Sequence, residues 1–116
     1  MMLRENVPLA PLTTFRIGGV ARYYTIASGA IELAEAFEYA EKKKLPFYVL
    51  SGGSNVLFSD AGFPGIIIHI VGESISVTGE KITAGAGTIL FDVVRAAKQA
   101  SLQGIEKMAG IPGSFG

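Results

Sequence analysis

The chain has 116 residues, and its ten lysines and arginines balance ten aspartates and glutamates, so the formal net charge is zero. That length holds one modest domain rather than two independent cores, and the charge balance gives no cationic field to suggest nucleic acid or an anionic membrane as a partner. With no cysteine in the sequence, a disulfide framework, a thiolate zinc site and a cysteine nucleophile are all excluded.

The start, Met1-Met2-Leu3-Arg4-Glu5-Asn6, lacks the cationic region and apolar core of a secretory leader. The most apolar run, Gly65 to Val71 (GIIIHIV), is far too short to cross a bilayer. A soluble, cytoplasmic chain is expected. The high mean hydropathy suits part of a larger protein.

In chain order, residues 1–20 read as a lead-in with two prolines, ending in Thr13-Thr14-Phe15-Arg16-Ile17-Gly18-Gly19. Ala21 to Ala27 (ARYYTIA) is rich in aromatic and β-branched residues and predicts a strand. Ser28 is placed to cap the next segment, where Ala30, Leu33, Ala34, Phe37 and Ala40 recur at helical spacing opposite Glu32, Glu35, Glu38 and Lys42. Lys42-Lys43-Lys44 suits the negative end of that helix, and Pro46 stops it. Phe47 to Leu50 then predicts a short buried strand, which completes the strand–helix–strand order of a parallel crossover.

Ile66 to Ile70 predicts a further strand after Gly62-Phe63-Pro64-Gly65. Ile75, Val77, Ile82 and Ala84 alternate with polar residues around Thr78-Gly79-Glu80-Lys81, the pattern of an antiparallel hairpin. A second helix follows, with Thr88 as its cap, Leu90, Val93, Val94 and Ala97 as its buried stripe and Gly104 as its stop. The fold class is α+β with two small lobes. The expected boundaries are a lead-in over 1–20, a first lobe over 21–72 and an incomplete second lobe over 73–116.

Two glycine-rich loops carry the chemistry. Ser51-Gly52-Gly53-Ser54-Asn55 presents consecutive backbone N–H groups with little side-chain bulk in the way. It fits neither a Walker A loop nor the dinucleotide fingerprint, because Val56-Leu57-Phe58 follows instead of a capped helix. It reads either as a wide turn, the commoner case for such glycines, or as a nest of N–H groups that binds an anion without side-chain charge. The second loop, Ala109-Gly110-Ile111-Pro112-Gly113-Ser114-Phe115-Gly116, combines a fixed kink with exposed N–H groups. Two such loops could close on one pyrophosphate.

The remaining candidates have plainer readings. His69, alone in an isoleucine run, reads as a structural strand residue rather than a ligand or base. Asp60 and Asp92 are isolated carboxylates, Arg16 and Arg22 read as solvated arginines within possible reach of a phosphate, and the first helix's glutamates form a solvated face. The sequence holds no triad, no metal-ligand spacing and no paired carboxylates, so no catalytic residue and no metal ligand is assigned.

The stretches PLTTFRIGG, YVLSGGSNVLFSD and GIEKMAGIPGSFG, in this order and spacing, closely resemble the UDP-N-acetylenolpyruvoylglucosamine reductases, also called UDP-N-acetylmuramate dehydrogenases. The resemblance spans essentially the whole chain but only the N-terminal portion of that family's length. It implies a two-lobed FAD-binding domain of the vanillyl-alcohol oxidase type, here the N-terminal lobe plus the start of the second. It also implies that the first loop holds the FAD pyrophosphate through Ser51, Gly52, Gly53, Ser54 and Asn55, flanked by Leu50 and Val56. The second loop would meet the same cofactor through Gly110, Ile111, Pro112, Gly113, Ser114 and Gly116.

In that family hydride passes from NADPH to the flavin and then to the enolpyruvyl double bond of a UDP-sugar, in peptidoglycan precursor synthesis for cell wall, cell shape and division. The family's proton-donor serine, with its assisting glutamate and arginine, lies downstream of the second loop and has no counterpart here. The alternatives at this point are the FAD domain of a different two-lobed flavin oxidoreductase, or a non-enzymatic nucleotide-binding module.

Overall fold

The computed structural model describes residues 1–53, 56–105, 108, 113 and 114, and the chain divides into two units, Met1–Val71 and Gly72–Gly116. The first unit is built on a four-stranded sheet of β1 (Leu3–Pro8), β2 (Val20–Ala27), β3 (Phe47–Leu50) and β4 (Phe63–Ile70), in the spatial order β1-β2-β4-β3. β1 runs antiparallel to β2, whereas β4 pairs in parallel with both β2 and β3.

Central β4 explains itself through its sequence. Ile66, Ile67 and Ile68 are all fully buried, because a central strand covered on both faces takes an unbroken apolar run. Ile67 belongs to a core with Val7, Leu9, Ala21, Tyr24, Leu50 and Phe58 on one face. Ile66 and Ile68 join Ala27, Ala36 and Ala40 on the other. Each isoleucine contributes roughly 1.5–3 kcal/mol through burial.

The second face is covered by α1 (Ala30–Lys42), whose small Ala36 and Ala40 let the helix lie close to the sheet. The expected stripe is therefore rotated. Ala34 is exposed, and Phe37 turns toward the sheet edge, its ring 5.0 Å from that of Phe47. Leu33 and Tyr39 pack beside the two alanines. Gly29, not Ser28, is the N-cap of α1, and the Ser28 hydroxyl instead donates to Glu32 Oε1. The helix ends in a Schellman arrangement: Leu45 N–H donates to the Ala40 carbonyl, and Lys44 N–H donates to that of Glu41. Lys44 takes the left-handed position usually given to glycine, with φ 53°.

Two further expectations for this unit are corrected. The first 20 residues are not a mere lead-in, since Leu3–Pro8 is a sheet strand and Leu9 is fully buried. The crossover β2–α1–β3 is parallel, as expected, and β4 lies between the two strands it connects. β3 is an edge strand rather than a buried one: Phe47 is 53% exposed, and only Leu50 is buried. β4 enters beside it at close quarters, where Gly65 leaves room that a Cβ would not, at 1.9 Å from the Pro46 carbonyl oxygen. Ile66 N–H donates to that same oxygen.

The second unit holds the expected hairpin, β5 (Ile75–Thr78) and β6 (Lys81–Ala84), paired antiparallel with Val77 opposite Ile82. It also holds α2 (Leu90–Gln99), which buries Val93, Val94 and Ala97 as the spacing predicts. Thr88 does not cap α2; the N-cap is Ile89. Thr88 is buried and clasps the hairpin's approach, its Oγ1 accepting from Ser74 N–H at 2.9 Å and donating to the Ser74 carbonyl at 3.1 Å. Nor does Gly104 stop α2. The stop is Ser101, in the left-handed region with φ 59°, and Leu102 N–H donates to the Ala97 carbonyl.

Candidate functional site

Three parallel strands, β2, β4 and β3, end on the same edge of the sheet, and the first glycine loop leaves the carboxyl end of β3. In open sheets of parallel strands, ligands bind in the crevice outside those carboxyl ends. Leu50 is buried and anchors the strand, Ser51 is half-buried and Gly52 is exposed. Gly53 is buried with φ +73°. Val56, past the loop, packs against the core. Ser54 and Asn55 lie outside the described residues.

The loop rests on the segment after β1. Gly53's carbonyl accepts a hydrogen bond from Thr14 N–H at 3.0 Å. A Cβ at Gly53 would stand 2.0 Å from the Leu12 carbonyl oxygen. Thr13, itself buried, stiffens this support: its hydroxyl donates to the Ala10 carbonyl at 3.3 Å and accepts from Arg16 N–H at 3.1 Å. Leu12–Thr14 is thus the platform under Gly53.

At the end of β4 stands His69. Its Nδ1 is 2.6 Å from the Tyr24 hydroxyl, with the rings edge to face at 5.9 Å between centroids. Burial pushes the imidazole below its usual 6.5, opposed by a hydrogen bond to the Ser51 backbone. Burial also raises the Tyr24 hydroxyl above 10.0, opposed by the Arg4 cation over its ring. A neutral imidazole therefore meets a protonated phenol across a short hydrogen bond. Sequence reasoning missed this pair. The available signal was one polar residue at the end of an isoleucine run, in the strand beside the glycine loop.

Other candidates are engaged elsewhere. Arg22 lies over the Tyr23 ring at 5.2 Å, and Asp92 pairs with Arg95 at 2.9 Å on α2. Among the described residues no group of three or more His, Asp or Glu side chains could hold a metal ion. No described helix is long and apolar enough to cross a membrane.

In the second unit, the second loop is described only at Gly113 and Ser114; Gly110, Ile111, Pro112 and Gly116 lie outside the described residues. Gly113's carbonyl accepts from Leu90 N–H at 2.9 Å, and Ser114 bridges Ile89. The loop is therefore tied to the first turn of α2, where it satisfies one of the helix's otherwise unpaired donors.

With the first glycine loop at the carboxyl end of a parallel strand, the comparison with known families bears on what the domain binds. The model of an FAD binding domain matches residues 21–116. The chain belongs to the FAD binding domain family.

The relatives sharpen this. The UDP-N-acetylenolpyruvoylglucosamine reductase of Synechococcus sp. (strain JA-3-3Ab) is 40% identical over 98% of this chain and 37% of that protein. The enzyme of the same name from Streptomyces coelicolor is 40% identical over 97% of this chain and 29% of its own length. The crystal structure of UDP-N-acetylenolpyruvylglucosamine reductase from Thermus caldophilus superposes with a TM-score of 0.76 at 35% identity, covering 99% of this chain and 41% of that one. The chain thus spans well under half the length of these proteins. The α+β FAD-binding fold expected from the sequence is the one observed, and FAD is the domain's cofactor. The residues present fit its charged centre: Gly52 is exposed, and among the described residues neither Gly52 nor Gly53 N–H makes a hydrogen bond within the protein.

Proposed function

We propose that this chain is the FAD-binding part of an NADPH-dependent reductase that converts UDP-N-acetylglucosamine enolpyruvate to UDP-N-acetylmuramate, in the cytoplasmic synthesis of peptidoglycan precursors for cell wall growth and division. The observation that carries the reading is the alignment of nearly the whole chain, at 40% identity, with enzymes named for that reaction. When bound, the flavin supplies hydride transfer between the nicotinamide and the enolpyruvyl group.

This chain's part is to bind and orient. Ser51, Gly52, Gly53, Ser54 and Asn55, between Leu50 and Val56, would offer backbone and hydroxyl donors to the pyrophosphate, with Leu50 and the Leu12–Thr14 platform keeping the loop in place. Gly110, Ile111, Pro112, Gly113, Ser114 and Gly116 would contact the same cofactor from a second lobe that starts at residue 73, after a first lobe over 21–72. No residue here is assigned to proton transfer. NADPH and the UDP-sugar would be bound by other parts of the enzyme.

The test uses the protein as expressed from its own gene. NADPH oxidation that depends on added UDP-N-acetylglucosamine enolpyruvate is the expected result. Flavin reduction by a simple alcohol, with no response to the enolpyruvyl substrate, would contradict it. Calorimetric titration of the 116 residues with FAD and FMN adds a second check, since a pyrophosphate site favours FAD. Equal affinities would remove the pyrophosphate from the account.

A further inference from the structure

We propose that Arg16 is the cation of the first glycine loop, carried beside the loop's platform so that its guanidinium pairs with the diphosphate bound there. The proposal rests on reading Ser51–Asn55 as the pyrophosphate site, and it adds a side-chain charge that the loop itself lacks. From Leu45 to Ser59 the sequence carries no charged residue, and neither does Leu9 to Phe15. Backbone N–H groups can hold an anion, and an arginine fork adds charge-assisted hydrogen bonds to it.

The position of Arg16 follows from the contact beneath the loop. Thr14 N–H donates to the Gly53 carbonyl at 3.0 Å, which fixes this segment against the loop. Two residues of chain span at most about 7 Å, so the long side chain of Arg16 starts close beside that contact. Its backbone is equally defined. Arg16 N–H donates to the Thr13 hydroxyl at 3.1 Å and to the Thr13 carbonyl at 3.3 Å, and Thr13 is buried. The residue is held at φ 55°, a left-handed conformation that glycine or asparagine adopts more cheaply. Among the described residues the other non-glycines in that region are Asn6, Lys44 and Ser101. Asn6 has the side chain suited to it, and Lys44 and Ser101 follow the ends of α1 and α2. Arg16 has neither reason, and outliers of this kind gather at ligand clamps.

Arg16 is also available. Arg4 lies over the Tyr24 ring, Arg22 over the Tyr23 ring, and Arg95 over the Phe91 ring while paired with Asp92. Of the four arginines, only Arg16, itself exposed, has no ion pair or ring contact among the described residues.

The test titrates the protein, as expressed from its own gene and stripped of flavin, with FAD at low and at high salt. Thermal melting is recorded without FAD. At low salt Arg16→Gln should lower FAD affinity about tenfold or more. High salt should narrow that difference, because screening weakens the parent's ion pair. Arg16→Gly removes the side chain and accepts the left-handed backbone freely. It should lose the same affinity while melting at least as high as the parent. Parent-like FAD affinity in both variants would overturn the proposal. So would a loss that high salt leaves unchanged, or one that comes with lower melting in both, since the role would then be structural. Gly52→Val tests the underlying reading: if it leaves FAD affinity at the parent's level, the loop is not the pyrophosphate site and the proposal falls with it. If it weakens FAD while both Arg16 variants bind normally, the loop reading stands and only the role of Arg16 is lost.

Discussion

Gly53 and Leu12 approach so closely that a single added methyl at residue 53 would lie 2.0 Å from the Leu12 carbonyl oxygen. The glycine is therefore required twice over, by this contact and by its φ of +73°. Both requirements come from the protein's own packing. Gly53→Ala should cost on the order of 2–4 kcal/mol, since left-handed strain and a backbone clash add. Urea unfolding checks this, and a midpoint equal to the parent's would refute the contact.

Gly52 makes a different demand. It is exposed and has no left-handed backbone, so a substitution there interferes with a ligand's approach before it interferes with folding. The two neighbouring glycines thus separate stability from binding, and a loss of affinity at residue 52 with unchanged melting is the expected pattern.

His69 predicts a pH dependence. Burial holds its pKa below 6.5 in the fold, so as pH falls the unfolded chain takes up a proton before the folded one does. This group's stabilisation is fully present above about pH 6.5 and is lost progressively as pH falls through the native value. Facing it are the Tyr24 hydroxyl from β2, with Arg4 of β1 beyond, and the Ser51 backbone. Thermal melting from pH 8 to 5 should show a decline below about 6.5 that His69→Gln flattens. The same decline in both proteins would assign it to other groups.

Thr88 provides a test within the second unit. Its hydroxyl satisfies both the N–H and the carbonyl of Ser74. Thr88→Val keeps the shape and strands both groups, at a cost of about 1–3 kcal/mol. Hydrogen exchange of Ser74 should accelerate by the corresponding factor, and an unchanged rate would mean that the clasp contributes nothing.

The elements that were legible in the sequence are those whose pattern is local. α1, α2 and the β5–β6 hairpin follow from periodicity, and β4 from its isoleucine run. β1 was hidden because Arg4, Glu5 and Asn6 interrupt the alternation between Leu3 and Val7, and only pairing with β2 defines it. The exposure of β3 was hidden too, since a four-residue apolar run looks alike at an edge and at a centre. Both helix caps misled because Ser28 and Thr88 use their hydroxyls on other partners. The glycine loop declared itself by composition. Its supports, Leu12, Thr13 and Thr14, meet it from a distant part of the chain, and no local pattern encodes such contacts.

The central proposal is that Ser51–Asn55 and the Gly113–Ser114 loop bind FAD, the first of them at its pyrophosphate. The most direct measurement is a titration of the isotope-labelled chain with FAD, following every backbone amide by NMR; it reads weak as well as tight binding. The largest saturable shifts should fall on Ser51, Gly52, Gly53, Ser54, Asn55, Gly113 and Ser114, with riboflavin, which lacks the pyrophosphate, leaving them in place. Shifts centred instead on the apolar cavity beside Phe91, Val94 and Leu102 of the α2 region, or equal responses to FAD and riboflavin, would contradict the account.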